Sequence, residues 1–301
     1  MQPETLPFND YGGYMRRRVG GRIQKLAIDA AMSCPNRDGT IAHGGCTFCL
    51  NEAFSPSYCR TSQSITEQID RGIDFHLRRG RSAQHYIAYF QSGTNTHANI
   101  DRLRSLYNEA ISHPKISGII VGTRPDCVCS EILDLLTDIS TYKYTAIEYG
   151  IESTSNTTLS HVNRGHTFAD AERAVALTRE RNIDVGAHFI LGLPNESTKH
   201  MIEQTSKINS LGLNFIKFHQ LQIYRSTPMA EEWATHPERF LLNNITVDEY
   251  ISLIVEIIRR LNPTIAIERF ASMAPRHLLI HSPLGGSSID TLRKLLLAQF
   301  A

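Results

Sequence analysis

The sequence lacks any apolar run near the ~18–20 residues that a bilayer-spanning helix needs. Residues 1–7 also lack the basic-then-apolar order of a secretory leader, so a cytoplasmic protein is expected. A charge surplus is missing too: 31 Lys and Arg against 30 Asp and Glu leave +1, and no global positive field announces a polyanionic partner. With only 19 Gly and 12 Pro, fibrous and low-complexity classes are excluded. No internal repeat is present, and no Gly-, Ser- or Pro-rich linker separates independent domains. What is there, 41% hydrophobic and 20% charged residues, suffices for a packed core.

Short β-rich runs alternate with amphipathic stretches, the pattern of βα units on a parallel sheet. The spacing predicts strands over 22–28, 84–90, 118–122, 145–149, 184–191 and 214–223. Helices are predicted over 64–79, 99–112, 130–137, 168–181 and 197–211. A polar stretch from Arg225 to Asn244 then leads to a helix, 246–261, and a short strand, 264–269. The reading is an α/β chain: an N-terminal segment (1–21), a barrel-like unit of six βα repeats (22–230) and a C-terminal extension (231–301) packed on it. A doubly wound open sheet would use the same alternation.

Chemistry concentrates after the first strand, where Cys34, Cys46 and Cys49 are spaced C-x11-C-x2-C. Two sulfurs separated by two residues reach one metal centre through a tight turn, and Gly44 and Gly45 let the backbone approach closely. A zinc site completed by Cys59 or His43 is one reading. Three thiolates at a strand end also suit a 4Fe-4S cluster with one iron open to a small molecule. In α/β barrels the C-terminal strand ends carry the active site, and the loop sits at such an end.

With Lys25-Leu26-Ala27-Ile28-Asp29 ahead of Cys34-Pro35-Asn36-Arg37-Asp38-Gly39-Thr40 and Gly44-Gly45-Cys46-Thr47-Phe48-Cys49, the chain resembles radical S-adenosylmethionine enzymes. More narrowly it resembles the YhcC-type family, related to the radical subunit of Elongator. The first gap is longer than the superfamily's C-x3-C-x2-C, while the aromatic Phe48 before the last cysteine is kept. The resemblance implies a partial (β/α)6 radical-SAM barrel, with Cys34, Cys46 and Cys49 holding a 4Fe-4S cluster. It implies that S-adenosylmethionine is bound at Phe48, at the turn Ser92-Gly93-Thr94, and at Glu152 in Glu148-Tyr149-Gly150-Ile151-Glu152-Ser153. Arg164 would pair with the cofactor carboxylate, and His188 and Gly192 of the fifth strand would lie near the adenosine. Reductive cleavage to a 5′-deoxyadenosyl radical follows, with an electron donor such as a flavodoxin or ferredoxin as partner and no membrane involved.

Lys217, His219 and Tyr224, with Gln222 and Arg225, are the candidates for catalysis or for holding an anionic or heterocyclic substrate, since they sit on or just after the sixth strand. Cys127 and Cys129 read as small buried hydrophobes, with a hydrogen-atom donor or redox pair as the alternative. The similarity to Elongator implies a tRNA substrate modified at a wobble-uridine side chain, with Arg16, Arg17, Arg18, Arg22 and Lys25 touching phosphate. The competing classes are a radical-SAM enzyme acting on a small metabolite or protein, a non-catalytic zinc/nucleic-acid-binding protein, and a haem or iron–sulfur carrier.

Overall fold

The computed structural model describes residues 6–241, 245–281, 284 and 286–300. Residues 1–5 of the N-terminal segment, and 242–244, 282, 283, 285 and 301 of the extension, lie outside them. The strands are β1 (Ile23–Ile28), β2 (His85–Phe90), β3 (Ile116–Thr123), β4 (Tyr144–Glu152), β5 (Asp184–Leu191), β6 (Phe215–Gln220), β7 (Ile223–Tyr224), β8 (Ala266–Arg269) and β9 (Leu279–His281). The helices are α1 (Tyr11–Val19), α2 (Ile65–Leu77), α3 (Ile100–Ser112), α4 (Ser130–Ser140), α5 (Asn156–His161), α6 (Phe168–Arg179), α7 (Thr198–Leu211), α8 (Pro228–Thr235), α9 (Val247–Arg260) and α10 (Ile289–Ala298).

β1 to β6 pair in chain order and β8 adds a seventh parallel strand beside β6. The expected sixth strand divides into β6 and β7, and β7 pairs antiparallel with β9. Flat, seven strands at ~4.8 Å spacing would hold their edges about 29 Å apart. Instead Lys25 of β1 reaches Glu268 of β8 at 2.6 Å, so the sheet is curled into a half-barrel with its edges facing. Side chains alternate across the strands. Ile147, Tyr149 and Ile151 join the core beneath the helices, while Ala146 and Glu148 point to the lumen.

The lumen is layered. At the N-terminal strand ends, Tyr11 and Met15 of α1 fill it against Ile87, Ala146, Phe215 and Ala266. An alanine at Gly186 would set its Cβ 2.1 Å from the Phe215 ring, so only glycine leaves room there. α1 was not legible in the sequence: its two glycines oppose a helix, but Asp10 caps Gly13 and burial of Tyr11 and Met15 holds it. Tyr14 and Arg18 bind Asp184 at 2.6 and 2.7 Å.

Above α1 lies an ionic layer. Lys25 bonds Glu148 and Glu268, each at 2.6 Å; Lys217 bonds Glu148 and lies 3.3 Å from Glu268. Burial works against these charges, but Lys217 and Lys25 hold the Glu148 carboxyl well below its ordinary range. Burial brings the Lys217 ammonium down to about 8. The expectation that Lys25 touches phosphate is therefore corrected, because its ammonium is committed to two carboxylates inside the barrel. Arg16, Arg17 and Arg22 are exposed, whereas Arg18 is engaged by Asp184.

Candidate active site

At the opposite end, where the strands finish, a cavity of about 340 Å³ opens. Each of its walls is built by a loop leaving a strand. The β1 loop brings Cys34, Cys46, Phe48 and Cys49 to the cavity. A local hydrogen-bond frame fixes that loop: Gly45 N donates to Asn36 O, Cys49 N to Cys46 O and Arg37 Nη2 to Cys49 O, at 2.8–3.0 Å. Asp38 accepts from Ser33 and Thr40 within the loop and pairs with His97 beyond β2, which ties the loop back to that strand's end. The loop after β4 holds the other side, with Asn163 Nδ2 on Gly45 O at 2.8 Å and Thr47 N on Val162 O at 3.1 Å.

Two N–H donors point at one sulfur. Arg164 Nη1 lies 3.4 Å and Asn36 Nδ2 3.6 Å from Cys46 Sγ, and both residues are buried. Burial, then the neighbouring Cys46, pushes the Cys49 thiol up to about 11. Zinc completion by Cys59 is not the arrangement found, since its thiol donates to Ala27 O and packs with Tyr58. His43 stays beside Asp38 and Gly39 rather than in the cavity. Cys127 is half-buried, Cys129 is exposed and neither lines the cavity, which corrects the reading of both as buried hydrophobes.

Ser92, Gly93 and Thr94 line the cavity from β2. Gly93 has φ +77°, and a Cβ there would come within 2.3 Å of Met32 O, so the backbone passes directly against the cysteine loop. Ser92 spends its hydroxyl on Ser55 at 2.9 Å, leaving its backbone toward the cavity. From β4 comes Glu152, a non-glycine residue at φ +72° beside a register shift. Such strain is held only where surrounding contacts fix it. Burial raises its carboxyl to about 7 despite Arg164 and Arg124 nearby. Arg164 binds Gly150 O at 2.6 Å and approaches Glu152 to 3.8 Å, and its Nε is buried without a partner.

His188 lines the cavity, but its Nε2 is bonded to Glu148 at 2.8 Å, and burial lowers its ring to about 4. Gly192 does not line the cavity. Of the substrate candidates, His219, Gln222 and Tyr224 reach it, Lys217 lies below it in the ionic layer, and Arg225 is exposed. Three residues that sequence reasoning passed over also belong here. Asn36 contacts Cys46. Arg124 is buried, braced by Asp126 at 2.7 Å, with Nη1 unpartnered; the Arg-Pro-Asp spacing at a strand end was the available signal. Arg269 ends the seventh strand, whose membership of the sheet a six-strand reading hid.

The model of the Radical SAM superfamily matches residues 38–205, and that of the Radical_SAM C-terminal domain matches 213–296. Protein YhcC of Escherichia coli is 38% identical over 281 residues, 93% of this chain and 88% of that protein. Elongator complex protein 3 of Saccharomyces cerevisiae is 28% identical over 199 residues, 64% of this chain but 33% of that protein. The archaeal Methanocaldococcus infernus Elp3 structure superposes with a TM-score of 0.68 at 15% identity, covering 92% of this chain and 63% of that one. No helix among the described residues is long and apolar enough to cross a membrane.

Proposed function

Because the chain belongs to the radical SAM superfamily, we propose that it cleaves S-adenosylmethionine reductively in the cavity at the C-terminal strand ends, with Cys34, Cys46 and Cys49 holding a 4Fe-4S cluster. The observation that carries the reading is the convergence of those three thiols, Gly93, Glu152 and Arg164 on one cavity from three separate loops. When bound, the cluster supplies the electron that splits the sulfonium into methionine and a 5′-deoxyadenosyl radical.

The residues present fit both groups. Three thiols leave one iron of a cluster open, and the N–H groups of Asn36 and Arg164 beside Cys46 Sγ favour its thiolate form. The buried, unpartnered Arg164 Nε is a charged donor suited to a carboxylate. Glu152, near neutrality through burial, is placed for the cofactor's ribose or amino group. Beneath them the ionic layer and the Tyr11–Met15 plug shut the lumen, keeping water from below away from a reactive radical.

The acceptor we propose is the wobble-uridine side chain of a tRNA, on the likeness to Elongator's radical subunit. Phosphate contacts would come from Arg16, Arg17 and Arg22, which lie at the end of the barrel away from the cysteines, so a bound tRNA would have to wrap the molecule. A flavodoxin or ferredoxin is proposed as the electron donor and the cytoplasm as the setting, supported by six cysteines without a disulfide.

Anaerobic reconstitution tests the core of this. About four irons per chain and dithionite-dependent 5′-deoxyadenosine, both lost on replacing any of the three cysteines, are the expected result; full iron and full cleavage in those variants would overturn it. For the acceptor, tRNA nucleosides from cells with and without the protein are compared, and identical profiles would overturn the tRNA assignment.

A further inference from the structure

Two polar atoms in the cavity wall opposite Arg164 have nothing to bond. His219 Nε2 and Arg269 Nε are both buried without a partner, and both residues line the cavity. They come from adjacent strands: Arg269 pairs in register with Lys217 of β6, and His219 stands two residues further along that strand, on the same face. Among the described residues, no hydrogen bond or salt bridge holds the Arg269 guanidinium. The segment that follows it is nonetheless fixed. Gln220 exchanges two hydrogen bonds with Ser272, at 2.7 and 2.8 Å, and Gln222 adds a third at 3.0 Å. Arg269 is therefore held at the cavity by its backbone and left free at its head.

The surrounding charges do not balance. Lys25 and Lys217 pair with Glu148 and Glu268, and among the described residues no carboxylate forms a salt bridge with Arg269. The two histidines add no charge at neutral pH. Burial and the nearby cations lower both rings, His188 to about 4 and His219 well below its ordinary value, and Arg269 is the largest influence on His219 after burial. On the far wall Arg124 is matched by Asp126, and Arg164 faces Glu152. The Arg269 guanidinium is thus left without a carboxylate partner among the described residues, and a charge uncompensated in a largely buried setting is costly.

We propose that His219 and Arg269 form a subsite for a carboxylate of the radical acceptor, so that the substrate is a carboxylate-bearing molecule; a wobble uridine meets this only with the carboxylate on its side chain. A guanidinium without a carboxylate partner calls for an anion, and two N–H donors suit an acceptor group with two oxygens. S-adenosylmethionine does not meet the need, because in the proposed function, on which this inference rests, its carboxylate goes to Arg164. Tyr224 lies at the same wall and extends the subsite toward the β7 end.

The test uses the reconstituted protein, saturated with S-adenosylmethionine and unreduced, titrated calorimetrically at constant ionic strength with acetate, acetamide and inorganic phosphate. Acetate is expected to bind saturably and its neutral isostere acetamide not at all. Arg269→Gln should weaken acetate about tenfold or more, the loss of one charge-assisted hydrogen bond, while Arg269→Lys restores part of it. His219→Gln should weaken it by a smaller factor, and it carries the test should Arg269→Gln not fold. Equal binding of acetamide, or acetate binding unchanged in both variants, overturns the subsite. Phosphate binding more tightly than acetate overturns the carboxylate assignment. Iron content and 5′-deoxyadenosine, measured on the same preparations, report separately on the cofactor reading.

Discussion

Glu196 offers a quantitative check on how the cofactor wall is held. Its carboxyl sits beneath the end of β4, accepting from Ser153 Oγ at 2.6 Å, while Gln204 accepts from Thr154 N at 2.9 Å. Together they pin the turn that carries the strained Glu152. Burial pushes Glu196 from 4.5 up to about 7, against the favourable bond from Ser153, and its second oxygen has no partner. A raised carboxyl pKa gives a stability contribution fully present below pH 4.5 and lost as pH rises through about 7. At about 1.36 kcal/mol per pH unit, the gap amounts to roughly 3 kcal/mol. Glu196→Gln keeps an acceptor for Ser153 but cannot ionise. Compared with the parent chain, the variant should therefore gain roughly 3 kcal/mol in relative stability between pH 4.5 and 8, with Glu152 cancelling because both proteins contain it. Urea unfolding of the two proteins without oxygen, at four pH values across that window, measures the difference directly. A difference that stays constant with pH would show that Glu196 titrates alike in the folded and unfolded chains, and the burial argument would fail.

Arg164→Ala should leave iron content intact and raise the S-adenosylmethionine concentration needed for cleavage about 10- to 150-fold, the worth of a charged hydrogen bond at about 1.5–3 kcal/mol; an unchanged requirement removes Arg164 from the cofactor site. Cys59→Ala should retain iron, because its thiol serves Ala27 O and not the cavity; iron loss measured by colorimetric assay would place Cys59 among the ligands. Lys217→Met strips Glu148 of one partner and should cost about 3–5 kcal/mol in urea unfolding, with Glu148→Gln added to it recovering much of the loss. If the single variant were as stable as the parent chain, the ionic layer would not be holding the barrel.

Most of the barrel could be read from the chain because buried parallel strands are nearly continuous apolar runs, and six of them stand between amphipathic helices. The cysteine loop was legible for a different reason: few chemistries place three thiols at that spacing after a strand. What escaped depends on distant partners. α1 is a helix because Asp184 and Phe215 receive it, and its own Tyr-Gly-Gly-Tyr start argues against one. Lys25 looked like part of a basic surface because its sequence neighbours are arginines, while the residues that claim it, Glu148 and Glu268, lie more than a hundred positions away. Lys217, a candidate from its place on the sixth strand, does face the lumen, but depth within the lumen is set by register and not by alternation.

The latch between the first and last strands of the half-barrel also sets a timetable for making the protein. Lys25 must wait for Glu268, 243 positions later, and Asn9 for Thr264, 255 positions later. At ribosomal rates of about 5–20 residues per second, that interval is roughly 12–50 s. Until it ends, β1 emerges with a lysine whose acceptors are incomplete and a helix with no seat beneath the barrel. Sealing the lumen is thus a late, high-contact-order event, and a nascent chain stalled before residue 264 would display the strands of the site while their floor stood open.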